Sequence, residues 1–192
     1  MDKLQARAIA FSNLLDVEYR IILGRKGKTF EITLGFEPFD FPHLIGLHKL
    51  SDIFHGHISN DLMFNKCLSG EITYSRISQS SKFYLLGNRF ECFDQLELLL
   101  DSNDTVFKCN ARALKLFSQI EADYQIKSVH KLSVFYLFLQ QRRNSNSFFC
   151  KSFINDNVVD YTYGQTKMTL LYKEKTNKLT GETVVQFDRL KK

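Results

Sequence analysis

The chain has 192 residues, enough for one domain with a substantial core and too few to suggest two. Hydrophobic residues make up 44% and charged residues 24%, a balance that excludes disorder, and no apolar run reaches the length of a membrane span. The net charge of +5 is uneven, because residues 127–192 carry 12 Lys/Arg against 5 Asp/Glu while residues 1–126 carry 14 against 16. A basic C-terminal third favours a phosphate-rich partner, although lysines on strand edges also serve to block aggregation.

In chain order, Leu4, Ile9, Phe11, Leu14 and Leu15 recur at near-helical spacing and predict a first helix. The acids in this N-terminal stretch and the lack of a cleavage-site pattern argue against a signal peptide, so a cytoplasmic location is expected. VEYRIILG and GKTFEITLGF, split by the turn-prone GRKGK, predict a β-hairpin. Pro38 and Pro42 stop the second strand, and Pro42 suits the first turn of a helix capped by Asp40.

From there to about residue 119 the spacing predicts helices, in HLIGLHKLSDIF, NDLMFNKCLSG, TYSRISQSSKF, NRFECFDQLELLLD and NARALKLFSQI. Asn60, Thr73 and Asn110 stand in capping positions. After Ile120 the pattern becomes β: IEADYQIKSV, LSVFYLFLQQ, SFFCKSFIN, KMTLLYKEK and ETVVQFDRL, separated by polar turns, predict an antiparallel meander. LSVFYLFLQQ is apolar on both faces and reads as a central strand under helices. The expectation is a single α+β domain over residues 1–192. It consists of a helix and hairpin, a helical middle to about residue 120, and an antiparallel sheet of about four strands over about 121–192.

Cys67, Cys92, Cys109 and Cys150 form no CxxC pair, so buried free thiols are expected rather than a zinc knuckle or a disulfide scaffold. The stretch FPHLIGLHKLSDIFHGH holds four of the five histidines. On one continuous helix, His43 would share a stripe with Leu47, Leu50 and Phe54 and face the core or a cleft, while His48 and His55 would lie on the flank. Zinc on a helix wants ligands at i and i+4, whereas His43 and His48 are five apart and no HExxH is present, so no metal centre is expected. His55 and His57 around Gly56 read as a solvated loop before they read as a weak metal site. His43 and His48 could instead act as general base and acid; a core role for His43 carries equal weight on spacing alone.

FPHLIGLHKLSDI, GEITYSRISQSSKF, IEADYQIKS, the YGQ triplet and the final strand pair joined by KTNKLTGE resemble the phage- and mobile-element-associated group of barnase, EndoU, colicin and RelE-like nucleases, from about Val17 onward. The resemblance implies a metal-independent, cofactor-free ribonuclease fold with helices preceding a four-stranded antiparallel sheet. It further implies attack of a ribose 2′-OH on the adjacent phosphate, aided by a base, an acid and cations. Carried onto this chain, the catalytic candidates are His43, His48, Tyr163 and Gln165, and the phosphate-binding candidates are Arg89, Lys127 and Lys167. Alternation along YGQTKMTLLYKEK would set Tyr163, Gln165 and Lys167 on one strand face; the competing reading makes Tyr163 and Gly164 a turn. The expected partners are RNA, tRNA included, and, for a toxin-like or phage-defence enzyme, an inhibitory protein. A non-catalytic RNA- or protein-binding module on the same fold, and a decayed nuclease fold kept for interaction, are the alternatives.

Overall fold

The computed structural model describes residues 1–54 and 58–190. Helix α1 (Lys3–Ser12) begins where the Asp2 carboxylate accepts the Leu4 amide at 2.9 Å, and it buries Leu4, Ala8 and Phe11 along one stripe. Strands β1 (Val17–Arg25) and β2 (Lys28–Gly35) pair antiparallel around Lys26 and Gly27, both with positive φ as a two-residue hairpin turn requires. In β1, Val17, Tyr19, Ile21 and Leu23 all point into the core, as period-2 alternation dictates.

The middle of the chain is broken into short pieces, α2 (Phe41–Ile45), α3 (Asn60–Leu68), α4 (Tyr74–Ser78) and α5 (Leu96–Asp101), with 3-10 segments at Leu47–Lys49, Phe83–Arg89 and Phe93–Gln95 between them. Thr73 caps α4 as expected, whereas α3 is capped by Ser59 rather than Asn60. The predicted continuous helix over HLIGLHKLSDIF does not form. Gly46 adopts φ 96° and ends α2 after five residues, so the chain restarts as a separate turn at Leu47–Lys49.

Among the described residues, nine strands form one mixed sheet, rather than the antiparallel sheet of about four expected from the C-terminal part. They are β1, β2, β3 (Thr105–Lys108), β4 (Tyr124–His130), β5 (Ser133–Gln141), β6 (Ser147–Asn155), β7 (Thr166–Lys167), β8 (Thr169–Asn177) and β9 (Thr183–Asp188), in the order β7-β3-β4-β5-β6-β2-β1-β8-β9. The β4–β5–β6 meander and the β8–β9 pair match the predicted pattern. The N-terminal hairpin joins the same sheet through a parallel pairing of β2 with β6, and β3 arises between the helices predicted in NRFECFDQLELLLD and NARALKLFSQI. Helix α6 (Ala111–Leu114), capped by Asn110 as expected, is all that forms of the predicted helix in NARALKLFSQI. The sheet draws strands both from residues 1–120 and from residues 121–192.

Only Met168 separates β7, which pairs with β3, from β8, which pairs with β1. One extended segment thus bonds to both ends of the sheet and curls it round on itself, with the Met168 amide donating to the Val106 carbonyl at 2.9 Å. The enclosed face packs on α1, α5 and the aromatic group Phe11, Phe41, Phe64 and Phe93. Lys173 and Lys175, from the inward side of β8, reach α5: Lys173 donates to the Leu100 and Ser102 carbonyls, and Lys175 pairs with Glu97 and Asp101. A smaller apolar cluster of Leu114, Tyr136, Phe138 and Tyr161 covers the outer face of β5. The candidate site lies beside it, over β6.

Candidate functional site

The break at Gly46 determines where the two motif histidines go. A continuous helix would hold them on different faces, but the left-handed residue reverses the chain, so that their rings stack with centroids 4.2 Å apart and planes inclined by 17°. The Pro42 carbonyl beside the His48 ring favours its protonated form. Lys49 follows directly and donates to the Leu85 carbonyl at 3.2 Å. An added Cβ at Gly46 would lie 3.3 Å from Cδ of Arg89, so the glycine also leaves room for that arginine beneath the histidine turn.

The facing wall comes from β6. Phe138 and Leu139 of β5 pair with Ser152 and Cys150, leaving Lys151 as the extra residue of a β-bulge. Cys150 and Phe153 still face the core, and the bulge lets both Lys151 and Ser152 face outward into the cleft. The loop Ser118–Glu121 closes the third side of a cavity of about 490 Å³ that both histidines, Lys49 and Arg89 also line.

The electrostatics are strongly one-signed. Desolvation, the neighbouring His48 and the cations Lys151, Arg89 and Lys49 push His43 down to about 4. His48 is also lowered, first by desolvation and then by the same cations, but the Pro42 carbonyl opposes the shift. Burial lowers Arg89 as well, and among the described residues its guanidinium makes no hydrogen bond or ion pair. Among the described residues, Glu121 is the one carboxylate lining the cavity. A group of cations held near one another without matching anions is a site prepared for a ligand that carries negative charge.

Of the residues singled out from sequence, His43, His48 and Arg89 meet in this cleft. The others do not line it. Lys127 pairs with Asp160 at 3.0 Å and lies over the Tyr136 ring. Tyr163 and Gly164 form a turn, with Tyr163 67% exposed against Phe117, so the strand starts only at Thr166 and the expected single face of Tyr163, Gln165 and Lys167 does not form. Gln165 accepts the Asn110 amide at 2.6 Å and braces the start of α6. Lys167 is exposed on β7, where its carbonyl receives Arg25 at 2.7 Å. Farther along the same segment Met168 is buried, while Leu170 and Tyr172 are half-buried.

Lys49, Lys151, Ser152 and Glu121 also line the cleft and are not among the residues that the sequence singles out. Lys49 stands beside His48 in the motif and could have been found there; Lys151 depends on a bulge that leaves no mark in the local sequence. Among the described residues no group of three or more His, Cys, Asp or Glu is placed to hold a metal ion. His55 and His57 lie outside the described residues. All four cysteines are free, and burial pushes Cys67 and Cys109 up to about 12 and Cys150 further still, which makes them inert packing groups. No helix among the described residues is long and apolar enough to cross a membrane.

No curated protein and no solved structure gives a match to the chain. One family does, over residues 3–190, which takes in the histidine turn, Arg89, the bulged strand and the whole sheet. On that coverage the chain belongs to the PBECR4 family, the phage-Barnase-EndoU-ColicinE5/D-RelE like nucleases.

Proposed function

We propose that this member of a nuclease family cleaves RNA by internal transesterification, with the His43 and His48 pair as base and acid and with Lys49, Arg89 and Lys151 holding the phosphate. The observation that supports this most is the stacked histidine pair in one cleft with three cations. His43, held neutral by its surroundings, takes the proton of the ribose 2′-OH as the 2′-oxygen forms its bond to phosphorus. His48, which keeps its proton more readily through Pro42, delivers one to the 5′-oxygen as the P–O5′ bond breaks. The products are a 2′,3′-cyclic phosphate and a 5′-hydroxyl. Charge that builds up on the phosphorane meets Arg89 and Lys151, which are in place beforehand. The incoming phosphate also reverses the local field and raises both imidazoles toward neutrality, where proton transfer is most effective.

The test is cleavage of labelled single-stranded RNA and tRNA between about pH 5 and 8, with and without EDTA, alongside the same RNA carrying 2′-O-methyl groups. Cyclic phosphate ends, indifference to EDTA and full protection by 2′-O-methylation are expected, with losses of roughly 10²–10⁴ in His43→Ala. RNA that is bound but left intact throughout would make the fold a binding module. Equal cutting of DNA would rule out the 2′-OH as nucleophile.

A further inference from the structure

The cleft does not end at Lys151. A second hollow of about 470 Å³ continues from it and shares Lys151 and Glu121 as common wall. Its floor is an aromatic and arginine platform. Arg142 lies 5.1 Å from the Phe39 ring centre and 4.8 Å from that of Phe149, in cation–π contact with both. The charge of Arg142 is already committed, because it is bound to buried Asp40, to Glu37 at 3.4 Å and to the Gly35 carbonyl. Arg142 therefore holds the rings in place and has no charge left for a ligand.

The next residue differs. Arg143 is exposed at the rim of the hollow and, among the described residues, makes no hydrogen bond or ion pair. The Gln140 side chain lines the same hollow and likewise has no partner among the described residues. Phe39 is 37% exposed and Phe149 half-buried, so part of the platform faces solvent. An aromatic surface, an unpaired arginine and an unpaired amide in one hollow match the three parts of a nucleotide: base face, phosphate and base edge. A base within a duplex has no face to offer, so this chemistry selects an unpaired strand.

Resting on the reading of the first cleft as the phosphodiester site, we infer that the second hollow is a subsite for the flanking nucleotide of a single-stranded nucleic acid. Its base packs on the Phe39, Arg142 and Phe149 platform, Gln140 meets the base edge and Arg143 takes the next phosphate. Lys151, shared by both hollows, lies between the two nucleotides. Glu121 at the junction can only accept, so it suits a sugar hydroxyl or a base amine there.

The experiment is fluorescence anisotropy with a labelled, fully 2′-O-methylated single strand of about eight nucleotides, which the proposed chemistry cannot cut. Arg143→Ala should weaken binding and lower the slope of log affinity against log salt by about 0.7, the value for one phosphate on a single strand. Phe149→Leu, which retains apolar volume, should weaken binding roughly tenfold through lost stacking and leave the salt slope alone. Lys178→Ala, on the distant β8–β9 turn, is the control for generic loss of charge. Thermal melts confirm that each variant is folded, and Gln140→Ala stands in if Phe149→Leu is not. Affinities of Arg143→Ala and Phe149→Leu within about twofold of the control, or no binding by the parent, would overturn the subsite. The two readings fail separately: a strand whose binding depends on these residues while RNA is never cut removes the ribonuclease and leaves the subsite, whereas RNA cut equally well by parent and variants removes the subsite alone.

Discussion

His43 and His48 stack with 4.2 Å between ring centres, so a proton on one imidazole directly opposes a proton on the other. The pair titrates as a unit, and desolvation together with three nearby cations moves His43 down to about 4. The acid limb of kcat/KM, which reports the free enzyme, should therefore lie well below the ordinary histidine value of about 6.5. Titration of the ring protons by NMR in the absence of phosphate should show the same displacement. A limb at or above 6.5 would separate His43 from the base.

The same shift links acid to stability. The folded-state value of His43 is below that of the unfolded chain, so between about 6.5 and 4 the unfolded state binds more protons. Its contribution to stability is intact above 6.5 and is lost as pH falls toward 4. An upper bound is roughly 3 kcal/mol, reduced in practice because the ring is partly exposed. Asp40 is raised by burial and acts in the opposite direction, since the folded state holds its proton more firmly. The useful measurement is thus the difference between the parent and His43→Asn in denaturant unfolding: the two curves should converge as pH falls from 6.5 to 4. Parallel curves would show that His43 does not carry the linkage.

Arg89 bears a charge that burial disfavours and that, among the described residues, no anion compensates. Replacing it with Met retains the stem that packs under Gly46 and removes the charge. Arg89→Met should leave the denaturation midpoint unchanged or raise it, while cleavage falls roughly 10²-fold or more. Loss of stability together with activity would make Arg89 a structural residue.

Local signals account for the parts of this fold that could be read from sequence. The β1–β2 hairpin, the β4–β6 meander and the β8–β9 pair each rest on period-2 alternation and an adjacent turn, and they form where expected. The parallel β2–β6 pairing and the closure through Met168 join segments far apart in the chain, and such contacts leave no local pattern. Strand β3, at four residues, is too short to show a period. At the site, two backbone features govern the geometry: the φ of Gly46, which brings His43 beside His48, and the bulge at Lys151. Gly46 was visible as a residue but not as a break, because the apolar spacing runs straight through it. The trio of Tyr163, Gln165 and Lys167 failed to align because Gly164, at φ 69°, bends the chain where alternation assumed a strand.

Asp40 links the histidine segment to the second hollow. It is 4% exposed, accepts both Arg142 and the Glu37 amide, and lies at the start of the turn that carries His43. Asp40→Ala would leave a half-buried guanidinium with, among the described residues, only exposed Glu37 and the Gly35 carbonyl as polar partners. A loss of roughly 3–5 kcal/mol is expected, read as a lower urea midpoint. A change below about 1 kcal/mol would mean that the pair contributes no more than a surface salt bridge.

The bulge at Lys151 makes the sharpest demand on the proposed site. Because Lys151 is the extra residue between Cys150 and Ser152, deleting it should restore a regular β5–β6 ladder with Cys150 and Phe153 still inward and Ser152 still outward. The deletion removes one cation from the cleft without disturbing the core pattern on either side, so the protein should fold with a melting temperature near that of the parent. Cleavage should fall roughly 10²-fold, and Lys151→Ala, which retains the bulge, should lose as much. Equal losses assign the effect to the ammonium group. A deletion much worse than Lys151→Ala, with the fold intact, would instead assign it to where the bulge places Ser152 and the strand behind it. Parent-like activity in both variants would exclude Lys151 from phosphate binding.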